Sequence, residues 1–373
     1  MTPAVDVSKL SASAQRVLDA KAPGPLRQMA ARGIAPGLKP AEALTVVALL
    51  GESPDPAIAK SAQETLAKLP APLLQGALNA DLPPGVLDVI APAYANDAAM
   101  MERILGLGQI APETVAAIAS RCNEEVAELV ATNEERMLAH PVIIEKLYLN
   151  KKTRMSTANR ALELAVRNKI VVDGIPAYEE AAAALAQELI PEPSPEPTFG
   201  DVLFKETVEI VEKLAAAQED THEADEASGQ EKLKDKFLPV HARIQDMSMA
   251  EKIRTAMVGT ASERAILVRD SNKTVARAAV KSPQIQENEA VRMSMMRNVC
   301  DEVLTELFRS PKWKGSQQIK FNLVQNPRTP MHIAQKLIPY LREHELKALA
   351  KSKNVTGPIS TAAKQQLQRK GKS

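Results

Sequence analysis

Seven asparagines recur along this chain at a nearly constant interval, and that period limits the possible fold more than any other feature. Asn96, Asn123 and Asn150 stand 27 residues apart, and Asn272, Asn298, Asn326 and Asn354 follow at intervals of 26, 28 and 28. Each lies where an apolar, helix-patterned stretch gives way to a turn. Asparagine suits that place because its short amide tolerates left-handed backbone and bonds to nearby main chain. The stretches Leu149–Met155 (LNKKTRM) and Gln325–Met331 (QNPRTPM) align at Asn, Thr and Met. In the second, Thr329 reads as a helix N-cap and Pro330 as the first helical residue. Asn354-Val355-Thr356-Gly357-Pro358-Ile359 repeats the theme. Breaks at Pro141, Ser282-Pro283 and Ser310-Pro311 divide the intervals into pairs of short helices. One such pair cannot bury its apolar face alone, so neighbours must stack.

Composition agrees with helices. Aromatic residues are 3% of the chain, with Trp313 the only tryptophan, while apolar residues reach 45%. A large sheet sandwich draws on aromatic and β-branched residues; here Leu, Ala, Ile, Val and Met must build the core. Leu44–Leu50, a turn through Pro54-Asp55-Pro56, and Ala57–Leu69 read as helix, turn, helix, with Ile58, Ala62, Leu66 and Leu69 on one face. The expectation is an all-α fold, an α-solenoid of helix pairs in two arrays. The stretch Ile190–Pro197 (IPEPSPEP) is too rich in proline for helix or central strand. A helical patch over Val202–Ala217 follows, and residues 218–230 are acidic and polar, the signature of disorder. The expected domains are an N-terminal array over 1–189, a flexible linker over 190–235 and a basic array over 236–373.

The helix–turn–helix of residues 44–69, with Asp55 in its turn, resembles a HEAT-type repeat. The units carrying Arg309-Ser310-Pro311, Val324–Pro330 and Leu349–Asn354 resemble variant leucine-rich repeats, another short-helix solenoid. The unit is shorter than a usual HEAT repeat. The cysteine cluster that can precede variant leucine-rich repeats is missing, so no iron–sulfur role carries over. The resemblance implies a scaffold or binding surface.

Chemistry-bearing motifs are few. There is no phosphate-binding Gly-x-x-x-x-Gly-Lys loop, no Gly-x-Gly-x-x-Gly after a strand and no Gly-x-Ser-x-Gly elbow. Gly106-Leu107-Gly108 reads as a helix end. His140, His222, His241, His332 and His344 show no metal-ligand spacing. The pairs Glu124-Glu125, Glu134-Glu135 and Glu179-Glu180 read as solvated helix faces, and Met293, Met295 and Met296 as core filling. Neither catalytic residues nor a metal or cofactor is expected. Met1–Leu10 lacks a signal-peptide pattern, no run approaches the length of a membrane span, and Cys122 and Cys300 are the only cysteines. A cytoplasmic protein without membrane contact is the expectation.

The formal net charge of +1 conceals a split. Residues 1–173 hold 18 Lys/Arg against 19 Asp/Glu, residues 174–235 hold 4 against 16, and residues 236–373 hold 25 against 11. The basic residues also keep the repeat. Lys281, Arg309, Lys336 and Lys364 are spaced by 28, 27 and 28, and Arg264, Arg292, Lys320 and Lys347 by 28, 28 and 27. Arg269, Arg297 and Lys353 share a third register, interrupted by Gln325. Stacked repeats would align such residues as exposed stripes. The function they point to is an adaptor or scaffold binding an acidic protein partner, with nucleic acid held by phosphate contacts as the alternative. The chain's own acidic segment, 218–230, is a further candidate occupant.

Overall fold

The computed structural model describes residues 5–69, 71–80, 82–83, 85–214, 221–224, 231–352 and 355–370. Most of the acidic segment 218–230, together with Lys353 and Asn354, lies outside that set. The described fold is helical, with one short antiparallel hairpin, β1 (His222–Ala224) against β2 (Glu231–Leu233). The chain forms two compact units, residues 1–170 and 171–373.

The first unit runs through α1 (Ala12–Leu18), α2 (Gly24–Ala31), α3 (Pro40–Leu50), α4 (Pro56–Ala67), α5 (Ala71–Leu78) and α6 (Val86–Ile90). It continues with α7 (Ala98–Gly106), α8 (Pro112–Ala119), α9 (Glu124–Ala131), α10 (Glu134–Ala139), α11 (Val142–Leu149) and α12 (Met155–Arg167). The α3–α4 hairpin forms where the sequence placed it. Asp55 caps α4 by accepting from the Ala57 amide at 2.9 Å, Pro56 fills the first turn, and Ile58, Ala62 and Leu66 are buried. Several helices pack on the next but one, α1 on α3, α2 on α4, α3 on α5, α7 on α9 and α10 on α12, whereas α8 packs on α11.

The second unit contains α13 (Tyr178–Leu185), α14 (Phe199–Leu214), α15 (Leu238–Asp246), α16 (Met249–Val258), α17 (Ala261–Leu267), α18 (Lys273–Lys281) and α19 (Glu287–Met295). It ends with α20 (Asp301–Arg309), α21 (Gln317–Gln325), α22 (Met331–Leu337), α23 (Glu343–Lys351) and α24 (Gly357–Lys370). The contacts run in two rows, α16 on α18 on α20 and α17 on α19 on α21. Four of these helices start alike, with a glutamate at the third position accepting the N-cap amide. The pairs are Ser248–Glu251 (2.9 Å), Thr260–Glu263 (2.6 Å), Gln286–Glu289 (3.2 Å) and Arg342–Glu345 (2.7 Å).

The unit boundary differs from the sequence expectation of 189/190. Residues 171–189 belong to the second unit because α13 packs on α16 and α18. Glu188, just beyond α13, accepts from the Ala250 amide (2.9 Å) and the Ser248 hydroxyl (2.8 Å) at the start of α16. The stretch expected as a linker is also built into this unit. Its helix α14 packs on α15, and Glu206 pairs with Arg243 at 2.8 Å. The second unit therefore holds both the acidic stretch and the basic array, 29 Lys/Arg against 28 Asp/Glu.

The periodic asparagines among the described residues lie between helices, and two of them do the same task in different units. Asn150, at the C-terminus of α11, donates through Nδ2 to the Ala119 (2.9 Å) and Cys122 (3.0 Å) carbonyls after α8, and α8 packs on α11. Asn326, at the C-terminus of α21, donates to the Ser294 (3.0 Å) and Met296 (2.7 Å) carbonyls ending α19. Each Oδ1 then accepts an amide two residues on, from Lys152 and from Arg328, both at 3.0 Å. Both asparagines are buried. Asn123 and Asn272 instead cap α9 and α18. Thr329 is not the N-cap of α22: its amide closes the Asn326 turn at 3.1 Å, its side chain is buried, and Pro330 takes the cap position.

Replacing Asn326 by Leu removes three hydrogen bonds around buried main chain and should cost about 2–4 kcal/mol. Asn272→Ala removes an exposed cap and should cost about 1 kcal/mol. Urea denaturation of both variants checks the order; Asn326→Asp should fare no better than Leu, since a carboxylate would face two carbonyl oxygens.

Candidate functional site

The basic columns keep their register, but the structure gives their members different environments. Lys281 and Arg309 end α18 and α20, Lys336 lies in the last turn of α22, and Lys364 is in α24. A cation near a helix C-terminus complements the macrodipole. The second column, Arg264, Arg292, Lys320 and Lys347, falls on α17, α19, α21 and α23, so it belongs to a different set of helices.

Arg264 is not an exposed binding residue. It is 3% exposed, forms two 2.9 Å bonds to Glu289 of the next helix in its row and donates to the Gly259 carbonyl at 2.6 Å. Lys281 is half-buried and bonded to Glu180. Arg292 and Lys320 are half-buried. Lys347 is exposed but pairs with Glu343 at 2.5 Å, and Arg309 is exposed with Glu306 at 3.7 Å. Lys336 and Lys364 are exposed, with no carboxylate partner among the described residues. Of the third register, Arg269 donates to the Ala265 carbonyl at 2.6 Å and Arg297 is exposed.

A column that the count of positive charges missed explains the burial of Arg264. Glu263, Glu289, Gln317 and Glu345 are spaced by 26, 28 and 28, the interval of the C-terminal asparagines. The three glutamates are buried helix caps; Glu289 receives Arg264, the neighbour of Glu263, and within the column Gln317 donates to Glu345 at 2.7 Å. The legible signal was Thr260-x-x-Glu263 and Ser248-x-x-Glu251 ahead of apolar runs.

The pair Glu179-Glu180 is not a uniformly solvated face either. Glu179 is exposed, whereas Glu180 is 2% exposed. One Glu180 oxygen, Oε1, accepts from Arg277 Nε at 2.7 Å, from Arg277 Nη2, and from Lys281 Nζ at 2.6 Å. Its Oε2 is buried with no hydrogen-bond partner among the described residues. Burial pushes this carboxyl up, but the hydrogen bonds from Lys281 and Arg277 outweigh it and hold the group below its ordinary value. Ala181 and Ala184 on α13 are buried, and such small side chains let the helix approach closely. The start of the basic column thus already holds an acidic helix from the chain itself.

Beside this contact lies a cleft of about 300 Å³. Its apolar wall includes Pro176, Pro283 and Trp313, and Lys281, Glu306 and Lys312 supply charge. Lys312 Nζ donates to the Ile285 carbonyl and stands 4.7 Å over the Trp313 ring. No carboxylate pairs with Lys312 among the described residues.

Little else is arranged for chemistry. Among the described residues no group of three or more His, Cys, Asp or Glu could hold a metal ion. Among the described residues no helix is long and apolar enough to cross a membrane. Burial pushes the Cys122 thiol up to about 11, which leaves it protonated at neutral pH. No protein family, curated protein or solved structure matches the chain.

The Glu180 contact gives a pH signature. A carboxyl held below its ordinary value stabilises the fold above that value, and the contribution disappears as pH falls through the lower, folded one. Glu180→Gln should therefore be less stable than wild type at pH 7, with the gap closing in urea titrations as pH falls below the ordinary carboxyl value of 4.5. At pH 7 the double variant Arg277→Gln/Lys281→Gln should cost more than Glu180→Gln, because it strands a buried carboxylate whereas the two cations can turn to solvent.

Proposed function

We propose that this chain is a non-enzymatic interaction protein, an adaptor or scaffold, that takes an acidic protein partner on the basic positions of its second unit. In this reading the two rows of helices belong to a solenoid of HEAT-like and variant leucine-rich type. The alternating packing and the matching Asn150 and Asn326 turns support it. The observation that carries the functional reading is the docking of α13. A short acidic helix with small side chains places Glu180 between Arg277 and Lys281, so this face accepts a carboxylate-bearing helix. Further along the same column, Arg309, Lys336 and Lys364 remain exposed. A nucleic acid would use the same cations, but Tyr340 is the one well-exposed aromatic in the basic region among the described residues. That leaves little platform for base stacking.

The test is a titration of the full chain with labelled poly-L-glutamate, duplex DNA and RNA across a salt series. Poly-glutamate should bind at low salt. The triple variant Arg309→Glu/Lys336→Glu/Lys364→Glu should weaken it about tenfold or more, a difference that closes as salt screens the wild-type attraction. Reversal of exposed Lys21, Lys60 and Lys68 in the first unit should have less effect. Tighter binding of DNA or RNA, lost in the same triple variant, would favour the nucleic-acid reading. Indifference of every probe to the triple reversal would remove the basic column from the function.

A further inference from the structure

The cleft beside the Glu180 contact has its own charge balance. Lys281 is matched by Glu180, and Glu306 lies near Arg309. That leaves Lys312, an ammonium over an indole face in a partly apolar cleft, as the cation without a carboxylate. Lys312 is itself exposed, so its attraction for a single negative charge is that of a surface cation and weakens with salt, and the apolar neighbours supply the selectivity. Glu306 on the wall disfavours a dianion, so one carboxylate fits better than a phosphate. Pro176 and Pro283 are exposed and offer apolar contact to whatever carries that carboxylate, while Trp313, largely buried, reaches the cleft only at its edge. Pro176 also lies just ahead of α13, so the cleft adjoins the place where the chain's own acidic helix is seated.

We infer that this cleft is a receptor for one acidic side chain of a partner peptide, its carboxylate on Lys312 and an adjoining apolar residue against Trp313 and the two prolines. The inference rests on the acidic-partner reading and gives it a specific seat. Recognition is of an acidic residue beside an apolar one, with the exposed cations of the column adding attraction that is less selective.

Trp313 makes the cleft directly observable, because it is the only tryptophan in the chain. The experiment titrates the full chain with a labelled alternating glutamate–leucine peptide and with its glutamine–leucine counterpart. Indole emission excited at the red edge and peptide anisotropy are read together. The acidic peptide should shift Trp313 emission saturably, and the glutamine peptide should not. Lys312→Met should weaken the peptide about tenfold, whereas Lys312→Arg, which keeps the charge, should retain most of the affinity. Circular dichroism of both variants separates lost folding from lost binding. If the peptide binds without moving Trp313 emission and is indifferent to Lys312→Met, the cleft is not its seat, although the basic-face reading survives. Absence of binding by any acidic probe would overturn both. An emission shift produced by inorganic phosphate or an RNA oligomer, with none from the acidic peptide, would overturn the carboxylate assignment.

Discussion

The buried side-chain amides of Asn150 and Asn326 are the contacts on which the packing of their helices depends. Each occupies the end of one helix and ties together three main-chain groups: two carbonyls at the end of an earlier helix of the same unit and one amide in its own turn. Carbonyls at a helix C-terminus have no partner within the helix, and leaving them dry and unbonded is costly. An asparagine solves this with one planar group that both donates and accepts. Because its carbonyl partners come from a helix packed directly against its own, α8 on α11 and α19 on α21, the bond also sets how far one helix slides along the other. Leucine and alanine contacts alone would tolerate such sliding.

Electrostatics act on this frame at two depths. Inside, glutamates at the third helical position cap their own helices, and Glu289 of α19 also receives Arg264 from α17. Such a pair orients more than it stabilises, since both groups lose their hydration. Outside, a cation recurs near the C-termini of α18, α20 and α22. The helix dipole alone is reason enough for a positive residue there. Periodicity of charge is therefore weak support for a binding stripe. The stronger support is local, in the carboxylate that Arg277 and Lys281 already hold and in the Lys312–Trp313 cleft beside it.

Much of the fold was legible in the sequence. Apolar spacing and turn residues gave the α3–α4 hairpin, the end of α7 near Gly106 and the helix after the proline-rich stretch. The asparagines marked the turns, but nothing in their spacing distinguished an exposed cap such as Asn272 from a buried bridge such as Asn326. That difference depends on which helix lies alongside. The functional positions were less legible for a related reason. A 28-residue interval between arginines does not say which way they face, and Arg264 faces inward because Glu289 is there to receive it. The boundary near residue 189 was misplaced because prolines signal a break in secondary structure, whereas Glu180 and Glu188 make their contacts across it.

The account's central claim is that one face of the second unit, around the ends of α18 and α20, receives acidic peptide. Amide hydrogen exchange of the full chain, with and without saturating glutamate–leucine peptide, tests it most directly. Slowed exchange should concentrate at the ends of α18 and α20 and through Lys312–Ser316, with residues 5–170 unchanged. Protection confined to the first unit, or spread evenly over both with no focus at these segments, would contradict the claim.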